Sequence, residues 1–248
     1  TSKTCYSMKC ESKKCVYTPQ PNCCGNGLKD NIEDGKPGSQ CTCPQDYGKC
    51  EGKGKIKVGS KTQDTKYLRY FCNSDEKCIF GVDESSIIPQ NVLDILTTTY
   101  FKASLVAKYS IPFDIKNSVF ELKISLDDIG KDTVLPIELT RVKLFISSSS
   151  TKGDVLIADK DLLDTLNYVG ESISLDVSPN LDYRLQELEE SGSIKYVISY
   201  SYTKKVKIGK APDGTDLFEQ ETVRNTFTSP AKRVVLVRTE QQGLKREE

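Results

Sequence analysis

The sequence contains no histidine and no tryptophan, and the lack of histidine excludes every catalytic or metal site that needs an imidazole. Without imidazole the chain cannot build a Ser-His-Asp or Cys-His nucleophile or a histidine-ligated zinc site. Lys and Arg number 35, as do Asp and Glu, so the formal net charge is zero. Because nucleic-acid binding needs excess positive charge, we expect no nucleic-acid partner. No apolar run approaches the ~20 residues of a membrane helix, so we also expect no membrane span.

Cysteine is confined to the first third of the 248-residue chain. An even number in so short a segment predicts a disulfide framework made in an oxidising compartment. The alternative is a zinc or iron–sulfur site, but no C-x-x-C pair occurs. No charged-then-apolar segment opens the sequence, so we expect a secreted form to be a processed chain or an ectodomain. The ten positions are Cys5, Cys10, Cys15, Cys23, Cys24, Cys41, Cys43, Cys50, Cys72 and Cys78.

Two stretches of this segment share one pattern. KCESKKCVY (9–17) and FCNSDEKCIF (71–80) both contain Cys, a polar tip, Lys-Cys, a β-branched residue and an aromatic residue. This pattern suits a tight hairpin clipped across its arms, so it predicts Cys10–Cys15 and Cys72–Cys78 bridges. Many other pairings of ten cysteines stay open.

The chain from residue 16 to residue 50 carries a longer pattern. It contains CGNG at residues 24–27, an acidic loop at residues 30–35 and CPQD at residues 43–46. It resembles a cysteine-rich module of secreted and cell-surface proteins of archaea and some bacteria, with the approximate pattern C-G-N-G-x-C-E, E-x-G-E and C-P-x-D-C. The resemblance implies an extracellular or cell-surface location.

Two departures from that pattern are informative. Lys29 stands where the pattern has a cysteine after C-G-N-G-x, and Tyr47 stands where it has the cysteine that closes C-P-x-D-C. If those two family cysteines bridge each other, their joint absence removes one whole bridge. The cysteine count then stays even.

The acidic loop has two interpretations. Asp30, Glu33, Asp34 and Asp46 offer the oxygen ligands that calcium prefers, and the glycines nearby permit the tight turns of a calcium loop. Such an ion would be structural. The alternative is a solvated, glycine-rich acidic loop, because the spacing does not match an EF-hand. No other cofactor is expected.

From about Thr97 the pattern changes to the period-two alternation of β-strands. In residues 120–127, for example, four apolar residues alternate with four polar ones. A one-residue phase slip at Thr140-Arg141 predicts a β-bulge. About eight strands in about 145 residues predict a mainly β fold, an antiparallel immunoglobulin-like β-sandwich.

One short helix is predicted within the sandwich domain. Residues 178–192 contain a leucine stripe, a capping residue at Asn180 and a stop at Gly192. The predicted organisation is a cysteine-rich module (1–82), a linker (83–96), the sandwich (97–240) and a polar tail (241–248).

The motifs favour a non-enzymatic protein. No nucleotide-binding or hydrolase motif is present, and Asp159 with Asp161 would form a glycosidase pair only if folded roughly 5–9 Å apart. We expect a non-enzymatic extracellular or cell-surface protein with a structural or adhesive role, such as a subunit of a surface filament or envelope assembly. Its partners would be proteins or further copies joined by strand addition. The alternatives are a glycan- or polymer-binding module, which exposed aromatic residues on one strand face would favour, and a carboxylate-dependent hydrolase. The tyrosines at 196, 200 and 202 are interpreted as core or cross-strand packing rather than as a binding face.

Overall fold

The computed structural model describes residues 5–12 and 14–239. The chain divides into two compact units, one ending at Ser85 and one beginning at Ser86. We call them the cysteine-rich unit and the sandwich unit. The predicted polar tail, 241–248, lies outside the described residues.

Short strands and one helical turn make up the cysteine-rich unit. β1 and β2 form an antiparallel hairpin, β3 and β4 pair over two residues, and β5, β6 and β7 form an antiparallel sheet in that order. The hairpin predicted for residues 71–80 is confirmed, since β6 and β7 pair antiparallel across it. The elements are β1 (Tyr6–Glu11), β2 (Lys14–Pro19), β3 (Ile32–Glu33), β4 (Lys36–Pro37), α1 (Pro44–Tyr47), β5 (Lys53–Val58), β6 (Lys61–Cys72) and β7 (Cys78–Val82), with a 3₁₀ turn at Glu84–Ser86.

All ten cysteines are paired in disulfides and none is free. This confirms the predicted disulfide framework. Apolar burial in the unit is slight, since its buried apolar residues are two half-cystines, Tyr67 and Leu68. The bridges therefore replace a core that this composition cannot supply. The pairs are Cys5–Cys23, Cys10–Cys15, Cys24–Cys43, Cys41–Cys72 and Cys50–Cys78.

One predicted bridge is confirmed and the other is wrong. Cys10 and Cys15 face each other across the β1–β2 hairpin and are bonded. Cys72 and Cys78 also face each other, across β6 and β7, but they are not bonded to each other. Their partners are Cys41 and Cys50, which lie before β5 in the chain. The local hairpin pattern was correct, and a segment distant in sequence supplied the sulfur partners.

The sandwich unit is built from ten described strands. Two more strands occur than the eight predicted, because β8 and the two-residue β10 were missed. The strands are β8 (Ile88–Thr97), β9 (Phe101–Ile111), β10 (Phe113–Asp114), β11 (Phe120–Ile129), β12 (Thr133–Ser148), β13 (Val155–Leu166), β14 (Ser172–Val177), β15 (Glu189–Lys210), β16 (Asp216–Thr228) and β17 (Lys232–Val237).

These strands form two sheets that share one apolar core. One sheet has the order β14-β11-β9-β8, and the other has the order β10-β17-β15-β12-β13, with β16 also paired to β15. Buried residues of both sheets join in a single cluster. All pairings are antiparallel except β10 with β17, which is parallel. The predicted mainly β class, a disulfide-rich N-terminal part followed by a sandwich, is confirmed.

Alternation in the sequence places the core correctly. In β11, Phe120, Leu122, Ile124 and Leu126 are buried, while the residues between them face outward. The bulge predicted at Thr140-Arg141 is confirmed, since the register of β12 shifts between Leu139 and Arg141 against both neighbours. Period-two patterns therefore identify the buried face of individual strands.

The helix predicted over 178–192 is wrong. The segment before Glu189 is irregular, and β15 begins at that residue. The Glu190 carboxylate accepts the backbone N–H groups of Gln186 and Glu187, which a helix would have used. The expected capping residue, Asn180, instead donates its backbone N–H to the Ile157 carbonyl in β13. Tertiary hydrogen bonds thus override a helical pattern of modest strength.

The stretch predicted as a linker, 83–96, also differs in the structure. It contains the 3₁₀ turn and then most of β8, which pairs with β9 from Ile88 to Thr97. In β8 the residue at the centre of the core-facing row is charged, Asp94, and the outward-facing Leu93 and Ile95 on either side of it are apolar, so the alternation of apolar core residues with polar outward residues is broken at its centre. That break concealed the strand from pattern analysis.

Candidate functional sites

The CGNG and CPQD segments meet around Asp46. Its Oδ2 accepts the backbone N–H of Gly25 at 2.6 Å, and its Oδ1 accepts that of Gly27 at 2.8 Å. Both glycines have positive φ, +106° and +81°, which other residues rarely adopt. The Cys24–Cys43 disulfide joins the same two segments. The two halves of the sequence pattern are therefore one anion-binding turn, whose anion is a carboxylate of the chain itself.

The other acidic residues of the loop also hold backbone groups. Asp30 accepts the N–H of Asn22 at 2.8 Å, Asp34 accepts that of Cys24 at 3.3 Å, and Glu33 accepts that of Asp30 at 3.0 Å. Within the described residues, no three of the four predicted calcium ligands bring their oxygens within 4.8 Å of one another. Calcium binding stays a prediction. Among the buried side-chain oxygens and nitrogens of the described part of the chain, Oε2 of Glu33 is the one that lacks a hydrogen-bond partner.

Lys29 and Tyr47, the residues at the two replaced cysteine positions, lie beside each other. The Lys29 Nζ is 5.9 Å from the centroid of the Tyr47 ring. The Tyr47 hydroxyl donates to the carbonyl of Asp30 at 2.5 Å, and partial burial, followed by nearby carboxylates, raises the pKa of Tyr47. A Cβ on Gly38 would lie 2.2 Å from that carbonyl, so the approach requires glycine. This proximity agrees with the idea that the pattern's two cysteines bridge each other.

The lysine-rich β5–β6 hairpin borders an open groove. Lys53, Lys55 and Arg69 line it, but so does Asp64. Lys55 forms an ion pair with Asp64, which lowers the pKa of Asp64, and Arg69 forms one with Asp83. The positive charges of this groove are thus partly neutralised within the unit.

The acidic residues considered for hydrolysis have a structural partner. Arg141 donates from Nε to one oxygen of Asp159 at 2.6 Å and from a terminal nitrogen to the other oxygen at 2.7 Å. The same guanidinium lies 3.6 Å from Asp161. The hydrogen bond from Arg141 lowers the pKa of Asp159, which favours an ionised carboxylate over a proton donor.

The tyrosine stripe of β15 belongs to the core. Tyr196, Tyr200 and Tyr202 are all buried, and Tyr200 and Tyr202 pack edge-on against Phe101. Packing is therefore the correct interpretation of this stripe. The exposed aromatic face that would favour the glycan-binding alternative is not formed by these residues.

β8 presents an open edge of the four-stranded sheet. It pairs with β9 on one side and has no strand on the other among those described. Its outward side chains include Leu93 and Ile95, which are 59% and 50% exposed. An edge with unpaired backbone groups and apolar residues is a template for another strand. Both residues fall in the stretch that was predicted to be a linker, so they were not among the predicted site residues.

β16 is a second edge strand with a different character. Of the described strands it pairs with β15 alone, and it is exposed along most of its length. Its acidic side chains form ion pairs with lysines of β15, Glu221 with Lys204 and Asp216 with Lys207. Charges along an edge discourage pairing with further strands. Of these two edges, β8 is therefore the better template.

Comparison with protein-family models finds no match, and comparison with curated proteins finds none either. Within residues 5–12 and 14–239, no helix is both long and apolar enough to cross a membrane. The five disulfides fit an oxidising compartment.

Proposed function

We propose that this chain is a non-enzymatic structural or adhesive protein of the cell surface or the extracellular space. In this proposal it is a subunit of a filament or envelope assembly, joined to other copies by strand addition. The observation that carries the proposal is the open edge of β8 with its exposed Leu93 and Ile95.

The location is inferred from covalent chemistry. Five disulfides in an 85-residue unit would be reduced in most cytosols, whereas they persist in secreted and surface proteins. The resemblance of residues 16–50 to surface modules supports the same location. The arrangement of Asp46 with Gly25 and Gly27 gives that pattern a physical reason.

Strand addition at β8 follows from two features of that strand. Among the strands that the structure describes, none pairs with one side of this ten-residue strand, so one row of its backbone N–H and C=O groups faces no partner strand there. An incoming strand would satisfy these groups and would also cover the apolar outward side chains. A second copy of the chain is the proposed source of that strand.

The proposal is tested by sedimentation of the full chain over a range of concentrations. The wild type is expected to self-associate as concentration rises, and a Leu93→Lys, Ile95→Lys double variant is expected to stay monomeric. The matched control is Phe218→Lys on β16, a residue that is 52% exposed, and it should associate like the wild type. A monomeric wild type at every concentration, or equal association of all three proteins, would contradict the proposed assembly.

A further inference from the structure

Three polar side chains meet inside the apolar core of the sandwich unit. They are Asp94 of β8, Tyr196 of β15 and Lys232 of β17, which are 8%, 0% and 6% exposed. Asp94 and Lys232 are 138 positions apart in the chain, so no local pattern of the sequence connects them. Lysine and aspartate are among the residues least often buried to this degree, so their meeting requires an explanation.

One oxygen atom is the centre of this group. The Oδ2 of Asp94 accepts a hydrogen bond from the Lys232 Nζ at 2.6 Å and another from the Tyr196 hydroxyl at 2.6 Å. The Lys232 Nζ also donates to the carbonyl of Pro230 at 3.2 Å and lies 5.0 Å from the centroid of the Tyr196 ring. The amine and the carboxyl group are thus held together from several sides.

Stability alone does not account for a charged pair at this position. Moving an ammonium and a carboxylate out of water costs several kcal/mol for each ion, and an apolar pair of similar volume is often as stable. A proton passing from Lys232 to Asp94 removes both charges and leaves a neutral amine next to a neutral acid. These are the two reactants of amide formation.

We propose that Lys232 and Asp94 condense into an intramolecular isopeptide bond. The lone pair of the neutral Nζ attacks Cγ of the protonated carboxyl group and forms a nitrogen–carbon bond. The bond between Cγ and the hydroxyl oxygen then breaks, and the hydroxyl leaves with a proton from the nitrogen as water. Ammonium and carboxylate thereby become one amide and one water, without an oxidant, a reductant or another reactant.

The geometry is close to that of attack. Because a carbon–oxygen bond is about 1.2 Å long, Cγ lies within about 3.8 Å of Nζ, near the ~3–3.5 Å of a near-attack arrangement. The Tyr196 hydroxyl donates to Oδ2, the oxygen that accepts the Lys232 proton and leaves as water, and so stabilises the negative charge that builds on it as the Cγ–Oδ2 bond breaks. Burial, and after it the hydrogen bond to Asp94, raises the pKa of Tyr196 far above its ordinary value, so this donor keeps its proton.

The bond would link strands from opposite sheets. β8 is the first strand of the sandwich unit and β17 is the last of its described strands. A covalent bond between these two strands would prevent the unit from being fully extended by a force applied at its two ends. This property is separate from assembly at the β8 edge and does not depend on it.

The test is the intact mass of the full chain after complete reduction of its disulfides. The wild type is expected to be lighter than its sequence mass by one water. Lys232→Arg keeps the positive charge but removes the nucleophilic amine, so it should show its full sequence mass. The control Lys195→Arg alters a more exposed lysine that pairs with Asp154, and it should still lose one water.

Peptide mapping of the wild type locates the loss and does not depend on any variant folding. The isopeptide predicts a branched peptide that joins the segments containing Asp94 and Lys232, with no tryptic cleavage after Lys232. Asp-Gly sequences at residues 34–35 and 213–214 can also lose water as succinimides, and mapping separates these. A wild type at its full sequence mass, or a loss that maps only to an Asp-Gly site, would overturn the proposal.

Discussion

Removal of the Cys41–Cys72 disulfide is expected to destabilise the cysteine-rich unit more than removal of Cys10–Cys15. The first bridge closes a span of 31 residues and the second closes a span of 5. A longer closed loop removes more conformational entropy from the unfolded chain. All four half-cystines are exposed or half-buried, so serine at these positions sacrifices little packing.

The expected difference follows from the loop lengths. Taken singly, a 5-residue loop contributes about 2.1 kcal/mol and a 31-residue loop about 3.7 kcal/mol in the chain-entropy relation. The difference is about 1.6 kcal/mol, which corresponds to a factor of about 15 in the unfolding equilibrium constant.

Hydrogen exchange measured by mass spectrometry is the appropriate assay because it follows each unit separately. Peptides from β6 report on the cysteine-rich unit, and peptides from β11 serve as an internal control in the sandwich unit. Amide protection in β6 should fall about 15-fold further in Cys41→Ser, Cys72→Ser than in Cys10→Ser, Cys15→Ser. Equal losses in the two variants, or a larger loss in the second, would refute the reasoning from loop length.

Two further predictions concern charge. The pKa of Asp159 is lower in the folded state because Arg141 donates hydrogen bonds to it, so its stabilising contribution is full above the unfolded pKa of about 4 and is lost as pH falls through the folded pKa. Arg141→Gln should therefore lower the melting temperature more at pH about 7 than at pH about 3, and a difference that is independent of pH would contradict this. Of the two interpretations of the acidic loop, the solvated loop is favoured by the carboxylates that already accept backbone N–H groups, and under it calcium should leave the melting temperature of the cysteine-rich unit unchanged. A melting temperature that rises when calcium is added, and falls again when a chelator removes it, would show that the loop rearranges to bind the ion.

Features that depend on neighbouring residues were predictable from the sequence. The buried face of β11, the core stripe of β15 and the bulge near Arg141 all follow from side chains that alternate along one strand. The Cys10–Cys15 bridge is similarly local, since its hairpin brings the two residues into register. In each case one short stretch of sequence contains both the pattern and its consequence.

Features that depend on distant partners were not predictable. Cys72 and Cys78 have the same hairpin pattern as Cys10 and Cys15, yet their sulfur partners come from a segment roughly thirty residues earlier. The stretch before Glu189 has helical periodicity, but bonds to Glu190 and to β13 hold it in another form. The sequence shows each half of such a contact without showing that the halves meet.

The candidate sites divide along the same line. The Gly and Asp residues of the CGNG and CPQD segments could be singled out from the sequence, although as calcium ligands rather than as the two sides of one turn. The β8 edge could not be identified from the sequence, because Asp94 interrupts the apolar core face of the strand and made it resemble a linker. A charged residue at a core position is read as solvent-exposed unless its partner is known.

Asp94 therefore connects the failed strand prediction with the chemistry proposed for the sandwich. Apart from the segment before Glu189, local patterns elsewhere in that unit agree with the fold, and disagreement between local rules and structure concentrates at sites with a special role. An apolar pair at positions 94 and 232 would leave the core face of β8 without a charge and avoid the desolvation of two ions. The charged pair must then provide something that packing does not, and an amine held 2.6 Å from a carboxyl oxygen, with a tyrosine donor on the same atom, provides the components of a covalent bond.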